Sequence, residues 1–199
     1  MAARNAIETR ERLLAAAADE FAAKGIAGAR VDQIAALAGV NKRMLYYYFG
    51  SKEQLFREVQ RVKLGERVAV AESMTGDRGE RSAARQAHHI DDPDYVRMLV
   101  WEALEDSDHD AIEGEEYRSQ TFASWVDSVA AAQAAGEIPA EFDPAQWVLS
   151  ELALTVFPVA FPQLTRLICG LDVTDPEFLE RRQEFLRNLY RRLDLPAST

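Results

Sequence analysis

The sequence predicts an all-α fold, and three observations carry that prediction. Apolar residues recur at three- and four-residue intervals through almost every segment. No segment alternates with period two for long enough to be a strand. Helix-start signals punctuate the chain at Asn41, at Ser51, and at the pairs Asp92-Pro93, Asp143-Pro144 and Asp175-Pro176. An aspartate oxygen can accept from the free N–H groups of a first turn, and proline at the first helical position gives up nothing there.

The elements follow in order. Ile7, Leu14 and Phe21, with Ala17 and Ala18 in the same stripe, define an amphipathic helix ending at Gly25. Val31, Ile34, Ala35 and Ala38 mark a short helix stopped by Gly39. Asn41 caps the next, 42–48, and Ser51 with Gln54 forms a capping box that opens a helix to about residue 71. The loop "SMTGDRGERS" separates two halves. Beyond it, helices are expected at 81–90, 93–106, 114–135, 144–168 and 176–193, the fourth of these kinked by Pro158 and Pro162. The total is about nine helices.

Composition narrows the class. A chain of 199 residues, 48% hydrophobic, suits a globular protein of one or two units. The charged N-terminus lacks a signal-peptide core, and the best apolar run, 152–162, is too short for a membrane span and holds two prolines. A single cysteine, Cys169, excludes an intrachain disulfide and a multi-cysteine metal site. A cytoplasmic protein with no membrane partner is expected. The net charge of −10 is unevenly spread: residues 1–67 carry +4 and residues 68–199 carry −14. Only the first segment is suited to a polyanion.

The stretch "NKRMLYYYFGSKEQLF" refines this. With about 100° per residue, Lys42, Arg43, Tyr46 and Tyr47 share one side of a helix. Leu45 and Phe49 lie on the other, with Tyr48 at the boundary. Phenol rings between cations can pack on thymine methyls and sugars and reach phosphates, while Lys and Arg reach phosphates or guanine edges. The alternative is that Tyr46 and Tyr47 pack against the second half. Short helix, glycine turn and short helix form a helix-turn-helix, whose second helix enters the major groove. DNA recognition is the reading these features favour.

The segment "IAALAGVNKRMLYYYFGSKEQL", within residues 7–56, resembles the DNA-binding domain of the tetracycline-repressor (TetR) family. The resemblance implies a helix-turn-helix domain over 1–50 and a helical effector-binding and dimerisation domain over 51–199, with 51–71 as the linking helix. By position, Lys42, Met44, Tyr46 and Tyr47 match groove-facing residues, and Tyr48 and Lys52 match backbone-contacting ones. Lys52 lies in a first turn whose N–H groups favour a phosphate, which would explain a lysine there. Arg30 and Arg43 complete the DNA-binding set. The family often has small hydroxyl residues at the positions of Ala29 and Arg30, a small residue at Arg43 and a threonine at Met44. These departures bear on sequence preference.

The resemblance further implies a homodimer on a palindromic double-stranded operator, acting as a repressor released by a small-molecule effector. Trp147, Leu179, Leu186, Leu189 and Leu193 are the expected dimer interface, with monomer core the alternative for both helices. Met98, Trp101, Phe122, Trp125, Phe157 and Phe161 are the candidates to line an effector pocket, though periodicity does not separate lining from core. An activator, a ligand-independent DNA-binding protein, and a helical enzyme or carrier are the competing readings.

Catalysis and metals are not indicated. No Gly-rich phosphate loop, nucleophile elbow or HExxH occurs, so no enzyme activity and no cofactor are expected. His88 and His89 point about 100° apart on a helix and are expected on a solvated surface. The run "EALEDSDHDAIEGEE", 102–116, lacks the calcium-loop pattern and is expected to be a solvated linker. Cys169 is expected to be a buried or inert thiol.

Overall fold

The computed structural model describes residues 2–105 and 114–193, ten helices and no strand among them. They are α1 (Ala2–Gly28), α2 (Val31–Leu37), α3 (Lys42–Phe49), α4 (Lys52–Ser73) and α5 (Arg78–Asp91), then α6 (Asp94–Glu105), α7 (Glu115–Ala134), α8 (Pro144–Ala160), α9 (Pro162–Cys169) and α10 (Pro176–Leu193). The expected helix boundaries lie within a few residues of these. The largest difference is at 144–168, where the expected kinked helix is two helices. Their axes turn by 90° at Phe161, whose backbone has left the helical region. Pro158 is accommodated inside α8, and Pro162 instead opens α9 at its first position, where a missing N–H costs nothing. The linker reading of 102–116 falls, over 106–113, outside the described residues.

The chain forms two compact units. The first comprises residues 1–67 and 94–118, so that α6 belongs with α1 to α3 although 51–199 reads in sequence as one domain. The reason is α6's apolar face: Tyr95, Val96 and Met98 are buried, and α6 packs along α1. The Trp101 indole N–H donates to the Ala22 carbonyl at 3.2 Å. The core of the unit is built from Leu13, Phe21, Ile34, Leu45, Leu55 and Val59, each at most 1% exposed. Phe21 and Phe56 meet edge to face at 5.0 Å. Ile7, expected in the stripe, is 60% exposed, and burial along α1 begins only at Leu13, none of residues 5–12 being buried.

The second unit comprises residues 68–93 and 119–199. Here α5 packs against α10 and α8. Contact with α10 is close at Gly79, where an added Cβ would lie 2.9 Å from the Arg187 Cα. Only a residue without a side chain lets the two backbones approach so far. Arg187 also pairs with Glu80 at 2.9 Å, and Arg182 donates to the Leu154 carbonyl at 2.6 Å. Trp147, Val148, Val129, Ile138 and Tyr190 form its apolar cluster. Asp143 caps α8 by accepting from the Gln146 N–H at 2.9 Å, and Asp175 accepts from Glu177 at 2.9 Å. His89 is buried and His88 half-buried, contrary to the expected solvated surface: α5 turns His89 to the same inner side as Ser82 and Gln86. Cys169 is exposed rather than buried, at the end of the short α9.

An ion-pair group joins α1 to α4 in the first unit. Glu58 accepts from Arg61 at 2.8 and 2.9 Å and also pairs with Arg10. Arg61 is the larger influence and, with Arg10, outweighs partial burial, pulling the Glu58 carboxyl from 4.5 down to about 2. A folded-state pKa below the unfolded one adds stability above pH 4.5 that is lost as pH falls toward 2. Glu58→Gln is expected to remove this component. Urea titrations should show the variant less stable by on the order of 1 kcal/mol near neutrality, with the gap closing below pH 4.5.

Candidate DNA-binding site

The recognition element is built by α2, the turn through Gly39, and α3. Asn41 caps α3, its side-chain oxygen accepting from the Arg43 N–H at 2.8 Å. Leu45, 0% exposed, and Phe49, 7% exposed, hold α3 against the core, with the Arg10 guanidinium 5.4 Å above the Phe49 ring. The opposite side of α3 is open. Tyr47 is 79% exposed and Tyr46 43%, and Lys42, Arg43 and Met44 are also exposed. Tyr48 is half-buried at the boundary, its ring edge-to-face with Tyr47 at 5.3 Å. Arg30 is exposed just before α2.

Two cations have partners that sequence reasoning missed. The Lys42 ammonium lies 3.0 Å from Asp32 in the first turn of α2, and this hydrogen bond raises its pKa. In the sequence Asp32 is visible only as an acidic residue at a helix start. The Lys52 ammonium lies 3.4 Å from the Ala29 carbonyl and 3.5 Å from that of Ala27. The carbonyls of Ala27, in the last turn of α1, and of Ala29, just past it, thus accept from the lysine at the start of α4.

The junction between α1 and α2 is held by two acids, the buried Glu20 and the half-buried Glu105. Gly25 breaks α1 at φ 68, and the last turn beyond it has its Ala27 N–H bonded to the Glu105 carboxylate at 3.2 Å. Arg30 offers no side-chain cap to α2. Its own N–H is bound instead by Glu20 at 3.1 Å, and Glu20 also accepts from Lys24 at 2.8 Å. Glu20 is 5% exposed. Burial pushes its carboxyl up, but Lys24 and the Arg30 N–H together outweigh it, and the pKa is lowered. The pairing of Glu20 with Lys24 is legible as an i, i+4 spacing, whereas its reach to Arg30 is not.

The structure distributes the six pocket candidates over both units. Met98, 0% exposed, and Trp101 are in the first, packed on α1. Phe122 and Trp125 are half-buried on α7 in the second, edge to face at 5.2 Å. Phe157 and Phe161 are 43% and 45% exposed, their rings 5.1 Å apart. Of the five interface candidates, Trp147 and Leu186 are 8% and 0% exposed within the second unit, and Leu179, Leu189 and Leu193 are half-buried. The exposed apolar residues on those helices are Leu149, Phe157 and Phe185. Among the described residues no group of His, Cys, Asp and Glu is placed to hold a metal ion, and no single helix is long and apolar enough to cross a membrane.

Comparison with known proteins agrees with the geometry. Residues 13–59 match the model of the bacterial regulatory proteins of the tetR family, and residues 80–192 that of the tetracyclin repressor-like C-terminal domain. The chain is 33% identical to the HTH-type transcriptional repressor SCO4008 of Streptomyces coelicolor, over 85% of this chain and 88% of that protein. It is 28% identical to the HTH-type transcriptional regulator RutR of Escherichia coli K12, over 90% and 87% of the two chains. The solved structure of SCO4942 from Streptomyces coelicolor superposes with a TM-score of 0.72 at 28% identity, covering 92% of this chain and 97% of that one.

Proposed function

Since the chain belongs to the tetR family of bacterial regulatory proteins, we propose that this DNA-binding transcriptional repressor acts as a homodimer and is released from a palindromic operator by a small-molecule effector. The observation that carries the reading is the division of α3. Leu45 and Phe49 are spent on the core, while Lys42, Arg43, Met44, Tyr46 and Tyr47 face outward on one short, capped helix. Such a surface can hydrogen-bond phosphates and meet base edges in a major groove. Arg30 and Lys52 flank it and are assigned to the phosphate backbone. Members of this family are regulators, not enzymes. A cytoplasmic location follows from a chromosomal target.

Two copies are needed because one eight-residue helix reads too few base pairs for a genome-wide search. The face of α8 and α10 bearing Leu149, Phe157 and Phe185, continued by the half-buried Leu179, Leu189 and Leu193, supplies the apolar area for pairing. Trp147 and Leu186 support that face from beneath.

The effector site is assigned to the second unit, with Phe122 and Trp125 as aromatic wall. Gln86, in the same unit, is 0% exposed, and neither amide atom has a hydrogen-bond partner within the protein. An enclosed carboxamide costs free energy unless an outside group satisfies it. A ligand that binds the dimer with mis-spaced recognition helices would lower operator affinity by the ratio of its affinities for the two states.

Two measurements test this. In fluorescence anisotropy with operator DNA, Tyr47→Ala is expected to weaken specific binding by about 1–3 kcal/mol and spare non-specific binding. Lys52→Ala is expected to weaken both alike and to lower the salt slope by about one. Unchanged binding in both variants would contradict the assignment. In sedimentation equilibrium the protein is expected at twice its 22.3 kDa chain mass, and Phe185→Glu at 22.3 kDa. A monomeric wild type at micromolar concentration would refute the dimer.

A further inference from the structure

A cleft of about 300 Å³ opens within the first unit, between the N-terminal half of α4 and the start of α7. That volume is at the lower end of small-molecule sites, roughly 300–1,000 Å³. Among the described residues its walls include three guanidinium groups, Arg57, Arg61 and Arg118, and the carboxylate of Glu58, with the Glu102 carboxylate behind Gln60 and Arg118. Tyr117 and Gln60 complete the relevant lining. Glu58 and Glu102 pair with two of these three cations, Arg61 and Arg118, and three guanidinium groups against two carboxylates leave the described lining net positive.

Gln60 is the informative wall. The residue is 1% exposed, its amide nitrogen lies 3.4 Å from the Glu102 carboxylate, and its side-chain oxygen has no hydrogen-bond partner. An enclosed acceptor calls for a donor. Around it the cations are oriented by the protein itself. Arg61 meets Glu58 through Nε and Nη2, which turns its Nη1 edge away from that carboxylate. Arg118 is fixed by both oxygens of Glu102, at 2.7 and 2.8 Å, and its side chain is only 13% exposed. Guanidinium forks held in this way favour planar or tetrahedral oxyanions.

We propose that this cleft binds a small anion that also carries a hydrogen-bond donor: a hydroxylated phosphate monoester or carboxylate. The oxyanion lies against Arg57 and Arg61, and its hydroxyl donates to the Gln60 oxygen. The site is separate from the effector site of the second unit and does not rest on it. Because α4 begins one capped turn after the recognition helix, an occupant here braces the helix that follows α3.

The test is isothermal titration calorimetry on the full chain at fixed ionic strength, with glycerol 3-phosphate, glycerate and sulfate. Saturable binding of glycerol 3-phosphate or of glycerate is expected, the tighter of the two naming the anion, with sulfate weaker because it has no donor. Arg61→Gln and Gln60→Leu should each weaken it by about tenfold or more, the scale of one charge-assisted hydrogen bond. Arg61 is 51% exposed, so its variant keeps the test open if Gln60→Leu does not fold. The proposal fails if no saturable heat appears, if sulfate binds as tightly, or if neither variant differs from the wild type. It fails equally if Arg61→Gln weakens DNA binding while leaving the anion heats unchanged, which would make the cleft part of the DNA surface.

Discussion

On a helix of two turns, burying one side chain at each end of a four-residue interval fixes the rotation of the whole element. Leu45 and Phe49 do this for α3, and every functional property proposed for the helix follows from that rotation. Had the apolar pair fallen one position later, the same tyrosines would be core and the cations would be carried with them. Fully burying a leucine stabilises by about 1.5–3 kcal/mol. That is more than the water-screened contact of Lys42 with Asp32 contributes on an exposed surface. Packing therefore sets the presentation, and the surface charges adjust to it.

Rotation alone does not place α3, because α2 must also be held at a fixed angle to α1. The junction between them is built from charges at backbone ends. Glu20 binds the first free N–H of α2, Glu105 binds the Ala27 N–H, and Lys52 binds carbonyls on the same short turn. One segment thus has its donors met by acids and its acceptors by a base. Glu105 reaches it from α6, far away in sequence. The helix that packs on α1 is in this way also a clamp on the loop that leads into the helix-turn-helix.

The legible parts of the sequence were those decided locally. Asn41 and Asp143 cap the helices they were expected to cap, Gly25 breaks α1, and the period of Leu45 and Phe49 separates the two sides of α3. What was not legible depends on partners distant in the chain. The membership of α6 in the first unit rests on its packing along α1, with Tyr95, Val96 and Met98 buried, which no window around residue 96 contains. Trp147 and Leu186 read as a stripe available to a second copy, yet the cluster around Tyr190 and the packing of α5 on α10 enclose them within one chain. His89 shows the same limit. Its spacing from His88 excludes a shared metal, but whether it faces water is decided by the helices packed on α5. At Phe161 the two prolines announced a disturbance, and only the structure shows a 90° turn in place of a kink.

The central claim is that a pair of these helices, each rotated by its buried apolar residues, presents phenols and cations to successive major grooves of one duplex. The most direct measurement is selection of bound duplexes from a random pool with the purified full chain. The account predicts recovery of an inverted repeat whose half-site centres lie about 10 base pairs apart or a multiple of that, one helical turn of DNA. Recovery of unpaired or unrelated sequences, with no symmetry after repeated rounds, would contradict it.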